Sequence, residues 1–226
     1  MPAASSMGIK IATSVILTAV VVAGTAPRQP VDPLEELFAR GRAIQASIRT
    51  MSASFTETTR SSLLVRPIVT TGTLVAAVNP IRVVMRYAPP DARTIWIDEQ
   101  ALVVAQPNRP IEQIGIAAMQ RRVQKYFADA SYQELRDNFE MTLTTHAGPP
   151  AHLLEMAPKR KQIKEGLVRL RLWIDRERLL MTRLQMDFPG GDSKTIELSD
   201  LKTNVPVDDS TFARPKRSGR GVTRLR

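Results

Sequence analysis

Alternation of apolar and polar residues, repeated in short segments, is the feature of this sequence that most constrains its fold. In residues 79–87, NPIRVVMRY, one face of an extended chain is apolar: Ile81, Val83, Met85 and Tyr87. The opposite face is largely cationic: Arg82, Val84 and Arg86. A period of two is the spacing of a β-strand that buries one face. The apolar face of such a strand meets either a packed core or an apolar ligand.

The same alternation predicts strands along much of the chain: 52–60, 69–78, 81–88, 93–98, 101–106, 139–147, 151–158, 167–175, 179–188 and 193–202. In 179–188 it places Leu184 and Met186 on the apolar face. Short turns such as Asn79-Pro80 separate the segments, which is typical of an antiparallel meander. A sheet of about ten strands must curl or close. The arginines of the other face are expected to point into water.

Helical periodicity is confined to a few segments. Residues 33–49 carry an apolar stripe behind Asp32, a candidate N-cap, and Pro33 at the first turn. A second helix is predicted from about 114 to 127, and a shorter third one from Ser131. The predicted fold class is therefore α+β, mainly β. It is a strongly curved antiparallel sheet, an incomplete barrel, with helices covering the apolar concave face. The helices either pack fully on the sheet or leave a hydrophobic cleft.

The two ends of the chain differ from its body. Residues 1–26 contain an apolar run at 11–23 that is short for a membrane-spanning helix and fits a secretory signal peptide or an uncleaved anchor. Residues 27–32 form a predicted linker, and 33–213 the folded domain. Residues 214–226 are predicted to form a basic, disordered tail. The tail either solubilises the protein or contacts a membrane surface or an acidic partner.

Several classes of function lack their sequence signals. Glycine-rich nucleotide loops, a zinc-protease motif and a nucleophile elbow are absent, so neither an enzyme nor a cofactor is predicted. His146 and His152 flank a turn without a nearby carboxylate pair or cysteine, so no metal site is predicted. Net charge is +10, but aromatic residues make up only 5% and do not alternate with the basic runs. Nucleic acid is therefore not predicted as a partner.

Motifs in a recurring order resemble the periplasmic outer-membrane lipoprotein carrier family, the LolA-like proteins. The resemblance starts after the first helix with ASFTETTR at 53–60 and extends over roughly 34–215. The further matching positions are Gly72 and Leu74, Asn79-Pro80, Met85-Arg86-Tyr87, Pro89 or Pro90, the strand pair at 93–106, Pro107, Gln113 and VPVDDSTFARP at 205–215.

The resemblance implies an incomplete barrel with a helical lid and an apolar cavity for the acyl chains of lipoproteins. It implies a monomeric periplasmic carrier whose partners are acylated lipoproteins or lipid, an inner-membrane release complex and an outer-membrane acceptor. The cavity residues would be those of the apolar faces: Ile81, Val83, Met85, Tyr87, Leu184 and Met186. The alternative is an exported half-barrel that binds a protein or senses the envelope without transferring lipid.

Two departures from the family pattern bear on the cargo. Asn79 stands where the family has an arginine that helps to hold the lid closed, and a neutral amide cannot replace that charge-assisted contact. The segment from Pro80 to Met85 is about two residues longer than the spacing usual in the family. Because side chains alternate along a strand, an insertion of even length leaves Met85 pointing inward. A divergent carrier for another lipid is therefore a second interpretation. The chain has no cysteine, so it cannot be lipidated like the family's outer-membrane receptor.

Overall fold

The computed structural model describes residues 32–115, 131–145 and 150–215. The helices in this part of the chain are α1 (Pro33–Ser47), α2 (Tyr132–Asn138), α3 (Lys161–Lys164) and a closing 3-10 turn (Asp209–Phe212). The strands are β1 (Thr50–Arg60), β2 (Ile68–Val78), β3 (Ile81–Tyr87), β4 (Arg93–Asp98), β5 (Ala101–Ala105), β6 (Glu112–Gly115), β7 (Phe139–Thr145), β8 (Ala151–Pro158), β9 (Arg169–Asp175), β10 (Met181–Asp187) and β11 (Ser193–Thr203).

All eleven strands belong to one open antiparallel sheet. Their order is β6-β5-β4-β3-β2-β1-β11-β10-β9-β8-β7, so strands that pair are consecutive in sequence everywhere except at the centre. There, the first strand pairs with the last along most of its length, from Met51 with Thr203 to Arg60 with Ser193. The two outer strands β6 and β7 do not meet, and the sheet is therefore not closed. The predicted fold class, an incomplete antiparallel barrel with few helices, is confirmed.

Local capping explains where the two longer helices begin. The Asp32 carboxylate accepts a hydrogen bond from the Leu34 backbone N–H at 3.0 Å, and Pro33 occupies the first turn, where its missing N–H costs nothing. At α2, the Ser131 hydroxyl accepts from the Glu134 N–H while the Glu134 carboxylate accepts from the Ser131 N–H, a reciprocal capping box. Both N-termini agree with the sequence prediction.

The strand register defines two faces of the sheet. We call the inner face the one that carries Phe55, Met85 and Leu154, and the outer face the opposite one. The main core lies on the inner face, where α1 and α2 pack against the strands from β7 to β10. Its buried residues are Leu34, Leu135, Phe139, Leu154, Met156 and Leu170. Part of the apolar surface of the sheet is thus covered by helices, as the pattern predicts.

The outer face departs from its prediction over β3. There, Val84 is only 1% exposed, and the flanking arginines contact the C-terminal segment 205–215 instead of water alone. Arg82 pairs with Asp209 at 2.9 Å and its guanidinium lies 4.5 Å from the centre of the Phe212 ring. Arg86 donates to the Thr211 carbonyl at 3.3 Å. The expectation that these arginines face water holds for Arg86, which is exposed, whereas Arg82 is half-buried beneath a segment distant in sequence.

Two further differences concern secondary structure. Residues 112–115 form strand β6 against β5, whereas the sequence predicts that a helix begins at about 114. The remainder of that predicted helix, to residue 127, lies outside the described residues. A short helix, α3, occupies 161–164 within a basic stretch for which no element is predicted.

The predictions for residues 1–31 and 216–226 also fall outside the described part of the chain, so the signal or anchor, the linker and the basic tail stay predictions. Among the helices that are described, none is long and apolar enough to cross a membrane.

Candidate functional site

An apolar pocket lies between helices α1 and α2 and the inner face of β7–β10. Its volume is about 370 Å³, within the usual range of roughly 300–1,000 Å³ for small-molecule sites. Most of the lining side chains are aliphatic, sulfur-containing or aromatic: Leu34, Leu37, Phe38, Tyr132, Leu135, Met141, Leu154, Met156, Leu172, Ile174, Leu179 and Met181. The remaining lining residues are Gly41, Arg42 and Gln45. Such a pocket is suited to a flexible hydrocarbon ligand.

Helix α1 supplies the roof of the pocket through its apolar stripe. Leu34, Leu37 and Phe38 recur at the helical spacing of three and four residues, which turns them all toward the sheet. Gly41 continues the stripe without a side chain, and a Cβ at this position would meet no other atom within 4 Å. Open space beside the helix is therefore part of the pocket at Gly41.

Polar contacts tie the start of α1 to α2. The Tyr132 hydroxyl donates to the Asp32 carboxylate at 2.5 Å, and Arg136 pairs with the same carboxylate at 2.9 Å. The hydrogen bonds from Tyr132 and from the Leu34 N–H, together with the charge of Arg136, hold the pKa of Asp32 below its usual value. Burial and the bond to Asp32 raise the pKa of Tyr132. Asp32 thus both caps α1 and links it to α2.

A second feature of the inner face is a polar cluster at the end of the sheet that carries the β1–β2 loop. Glu57 is 6% exposed and lies between two cations, with Lys194 at 3.1 Å and Arg93 at 3.8 Å. The Tyr87 hydroxyl donates to Glu57 at 3.0 Å, and the Arg93 guanidinium stacks over the Tyr87 ring at 3.7 Å. Burial is the main cause that raises the pKa of Tyr87. The cluster joins β1 and β11 to β3 and β4.

The structure places the six predicted cavity residues on one face but in different surroundings. Ile81, Val83, Met85 and Tyr87 share the inner face of β3, where Met85 pairs with Leu74 and Ile95. The first three are half-buried, whereas Tyr87 is buried in the polar cluster.

The other two predicted residues lie on the opposite side of the β1–β11 seam. Leu184 and Met186 pack against the core cluster beneath α1 and α2. None of the six lines the pocket beneath α1. Their role in ligand binding stays a prediction, and it concerns two separate parts of the inner face.

Asn79 lies exposed in the turn between β2 and β3. The resemblance assigns this position to lid contact without specifying a helix, and the helix predicted at 114–127 lies outside the described residues apart from its first positions, which belong to β6. The assignment of Asn79 to lid contact therefore stays a prediction.

Sequence reasoning missed the residues that form the pocket. Their local signals were available, since the apolar stripe of α1 and the alternation at 151–158 both identify inward-facing side chains. What the sequence does not reveal is which strands lie beneath α1, because residues from Leu34 to Met181 converge there. The Glu57 cluster was missed for a similar reason: Glu57 and Lys194 are 137 positions apart.

Metal-ligating side chains do not converge in the part of the chain that the structure describes, where no group of three or more histidine, aspartate or glutamate residues could hold an ion. His152 lies 3.2 Å from the Thr145 hydroxyl. Burial, with the nearby cations Arg176 and Arg40, lowers the pKa of His152. His146 is not among the described residues.

Two solved structures with TM-scores above 0.5 share this fold at low sequence identity. An uncharacterized conserved protein from Thermus thermophilus is 9% identical with a TM-score of 0.54, covering 86% of this chain and all of its own. MucB, also solved with MucA from Pseudomonas aeruginosa, is 12% identical with a TM-score of 0.51; the match covers 80% of this chain and 62% of MucB. The lipoprotein LppX of Mycobacterium tuberculosis is 12% identical with a TM-score of 0.49, over 77% and 97% of the two chains.

Sequence comparison agrees with the fold. No curated protein matches the chain. The family described as "Outer membrane lipoprotein carrier protein LolA" matches residues 46–215, which include all eleven strands and the C-terminal segment. The match covers well over half of the sequence, and the chain therefore belongs to the LolA family.

Proposed function

We propose that this protein is a periplasmic carrier that binds the acyl chains of lipoproteins, or of another lipid, and transfers them toward the outer membrane. The observation that carries the proposal is the apolar pocket of about 370 Å³ between α1 and the inner face of the sheet. Membership of the LolA family supports it.

The chemistry of the lining suits acyl chains. Each buried CH₂ group contributes about 0.8 kcal/mol, without any need for hydrogen-bond partners in the wall. Met141, Met156 and Met181 are unbranched and adaptable, so they can follow a flexible chain. Arg42 and Gln45, near the end of α1, are the polar side chains where a headgroup would leave the pocket.

Release of the cargo requires α1 to move. Most of its side chains are exposed or half-exposed, and its buried residues are Leu34 and Leu37. A cover with so little buried surface opens at modest cost, and cargo then exchanges by population shift. The proposal needs neither catalysis nor a cofactor.

Export and partners complete the proposal. The apolar run at 11–23 would direct the chain to the periplasm. There, a monomer would receive cargo from an inner-membrane release complex and pass it to an outer-membrane acceptor.

The test is to purify the full chain from cell membranes and identify bound lipid by mass spectrometry. We expect acylated molecules in near-stoichiometric amounts, and competition between them and a fluorescent fatty-acyl probe. A protein that stays empty and does not take up the probe would refute the carrier function. Transfer is tested separately, by following a labelled lipoprotein from donor to acceptor vesicles.

A second candidate function is suggested by the other half of the inner face. Val83, Met85 and Ile95 form a half-exposed apolar row across β3 and β4. Such a row can hold an extended protein segment, as expected of an exported protein-binding or envelope-sensing module. Met85→Glu distinguishes the two functions: it should abolish capture of one stoichiometric protein partner and leave probe uptake beneath α1 intact. Loss of probe uptake with capture of the protein partner intact would instead assign the acyl site to β3.

A further inference from the structure

The loop between β1 and β2 exposes an unusual amount of apolar surface. Leu63 is 92% exposed, Val65 102% and Leu64 36%. We call these three residues the apolar tip. Ile68 and Val69, at the start of β2, extend this surface. Large aliphatic side chains that stand fully in water next to one another mark an interaction surface.

Hydrogen bonds define the conformation of this loop. The Leu64 N–H donates to the Ser61 carbonyl at 3.0 Å, and the Leu63 N–H donates to the Ser61 hydroxyl at 3.3 Å. The Ser62 N–H donates to Asp192, in the neighbouring β10–β11 turn, at 3.4 Å. The backbone is therefore held while the apolar side chains point outward. Binding through a held loop loses little conformational entropy.

Two cations flank the apolar tip, and one carboxylate, that of Asp192, lies at its base. Arg60 and Arg66 flank it on either side, and both are exposed. From residue 58 to residue 90 the sequence contains no aspartate or glutamate. The surface thus combines a protruding aliphatic tip with cations at its base.

We infer that the loop at 61–67 docks the protein on a phospholipid surface that contains anionic headgroups. Leucine and valine at a convex tip can enter the boundary between headgroups and acyl chains, while the two arginines bind lipid phosphates. A protein partner is less well matched, because protein-binding hot spots favour tryptophan and tyrosine within an enclosed patch, and the tip has no aromatic residue.

This inference goes beyond the proposed function, since it assigns a membrane contact that does not depend on what fills the pocket. The β1–β2 loop lies at the same end of the sheet as the Glu57 cluster, because Glu57 is only three positions from Arg60. The protein would therefore meet the membrane with this end of the inner face.

The absence of cysteine allows a local test in the full chain. Ser62→Cys, beside the apolar tip, and Gln100→Cys, in the exposed turn at the other end of the sheet, each receive an environment-sensitive fluorophore. With phosphatidylglycerol–phosphatidylethanolamine vesicles, we expect the label at position 62 to shift to the blue and to be quenched by spin-labelled lipid. The label at position 100 should do neither, even where the N-terminal apolar run tethers the chain.

Substitutions then identify the groups responsible. Leu63→Asp with Val65→Asp should lower the insertion equilibrium constant of the position-62 label by at least about tenfold. Val78→Asp, an exposed valine at the opposite end, is the matched control and should leave it unchanged. Arg60→Gln and Arg66→Gln should each lower it roughly fivefold on anionic vesicles and little on phosphatidylcholine. Circular dichroism and urea denaturation check that each variant is folded.

Two outcomes would overturn the inference. One is a position-62 label that stays in water on anionic vesicles. The other is insertion that persists in the Leu63→Asp, Val65→Asp variant. A Ser62→Cys protein whose label inserts but which takes up no fatty-acyl probe would count against the carrier proposal alone.

Discussion

Helices cover strands β7–β10 on the inner face of the sheet, whereas the C-terminal segment covers strands β3 and β4 on the outer face. We call α1 with α2 the inner cover and the segment 205–215 the outer cover. On the first side, α1 and α2 lie over Leu154, Met156 and Leu170 and leave a pocket. On the second, the C-terminal segment 205–215 lies over Arg82 and Arg86. The inner row of β3, with Val83 and Met85, remains half-exposed.

The chemistry of the two covers differs as well. Polar links hold α1 at its two ends, at Asp32 and at the Ser47 carbonyl, which accepts from the Asn204 amide at 3.1 Å. Between them, the helix is held by apolar contacts, which are non-directional and can be replaced by a hydrocarbon ligand. The C-terminal segment is held by directed contacts, among them the ion pair between Arg214 and Asp98 and the stacking of Arg82 on Phe212. The proposed function therefore assigns cargo exchange to α1 and a supporting role to the C-terminal segment.

The largest loss of stability is expected where the two halves of the sheet meet, at the pairing of β1 with β11. Glu57→Gln removes the buried negative charge between Lys194 and Arg93 and leaves two cations facing each other. We expect the free energy of unfolding to fall by about 3 kcal/mol, measured by urea denaturation. Glu197→Gln, which breaks an exposed pair with Arg183 on the outer face, is the control and should cost less than about 1 kcal/mol. Equal effects would contradict the junction role of Glu57.

A smaller effect is expected from the outer cover. Phe212→Ala removes the ring that packs on Arg82 and should lower the free energy of unfolding by about 1–2 kcal/mol. Asp209→Asn breaks the ion pair with the same arginine, but its carboxylate is exposed, so the loss should stay below about 1 kcal/mol. Uptake of a fatty-acyl probe should be unchanged in both. Impaired uptake would mean that the outer cover shapes the pocket.

Acid should loosen both covers through different carboxylates. Hydrogen bonds lower the pKa of Asp32 at α1 and of Asp208 at the C-terminal segment below the usual value of 3.8. A lowered folded-state pKa adds stability that is present above the usual value and is lost as the pH falls through the lowered one.

Below about pH 4, the amide protection factors, corrected for the pH dependence of intrinsic exchange, should therefore fall in α1 and in the 3-10 turn. Asp32→Asn should remove the pH dependence in α1 alone, and Asp208→Asn that of the turn alone. A variant that changes both regions would show that the covers are coupled.

The strands and the two helix starts were predictable because their signals are local. Alternation at 81–87 identifies β3, and Asp32 before Pro33 identifies the start of α1. The covers were not predictable, because they depend on contacts between distant residues. Arg86 and Thr211 are 125 positions apart, and Asp32 and Tyr132 are 100 apart.

The same limit explains the errors at single residues. Alternation places Val84 beside two arginines and thus toward water, but it is only 1% exposed on the face where the C-terminal segment contacts those arginines. Residues 112–115 form too short a segment for periodicity to distinguish a strand from a helix. They form a strand because they pair with β5. For the candidate site, the sequence identifies the inner face but not which part of it α1 covers.

Gly41 offers the most direct test of the claim that acyl chains lie beneath α1. Gly41→Trp should fill the pocket from its roof, because a side chain there meets open space. Gly41→Ala adds only a methyl group and should leave probe uptake intact while stabilising the helix by about 0.5–1 kcal/mol. We predict that the tryptophan variant is folded and has lost uptake of a fluorescent fatty-acyl probe, in contrast to the alanine variant. Uptake equal to wild type in a folded Gly41→Trp protein would contradict the account.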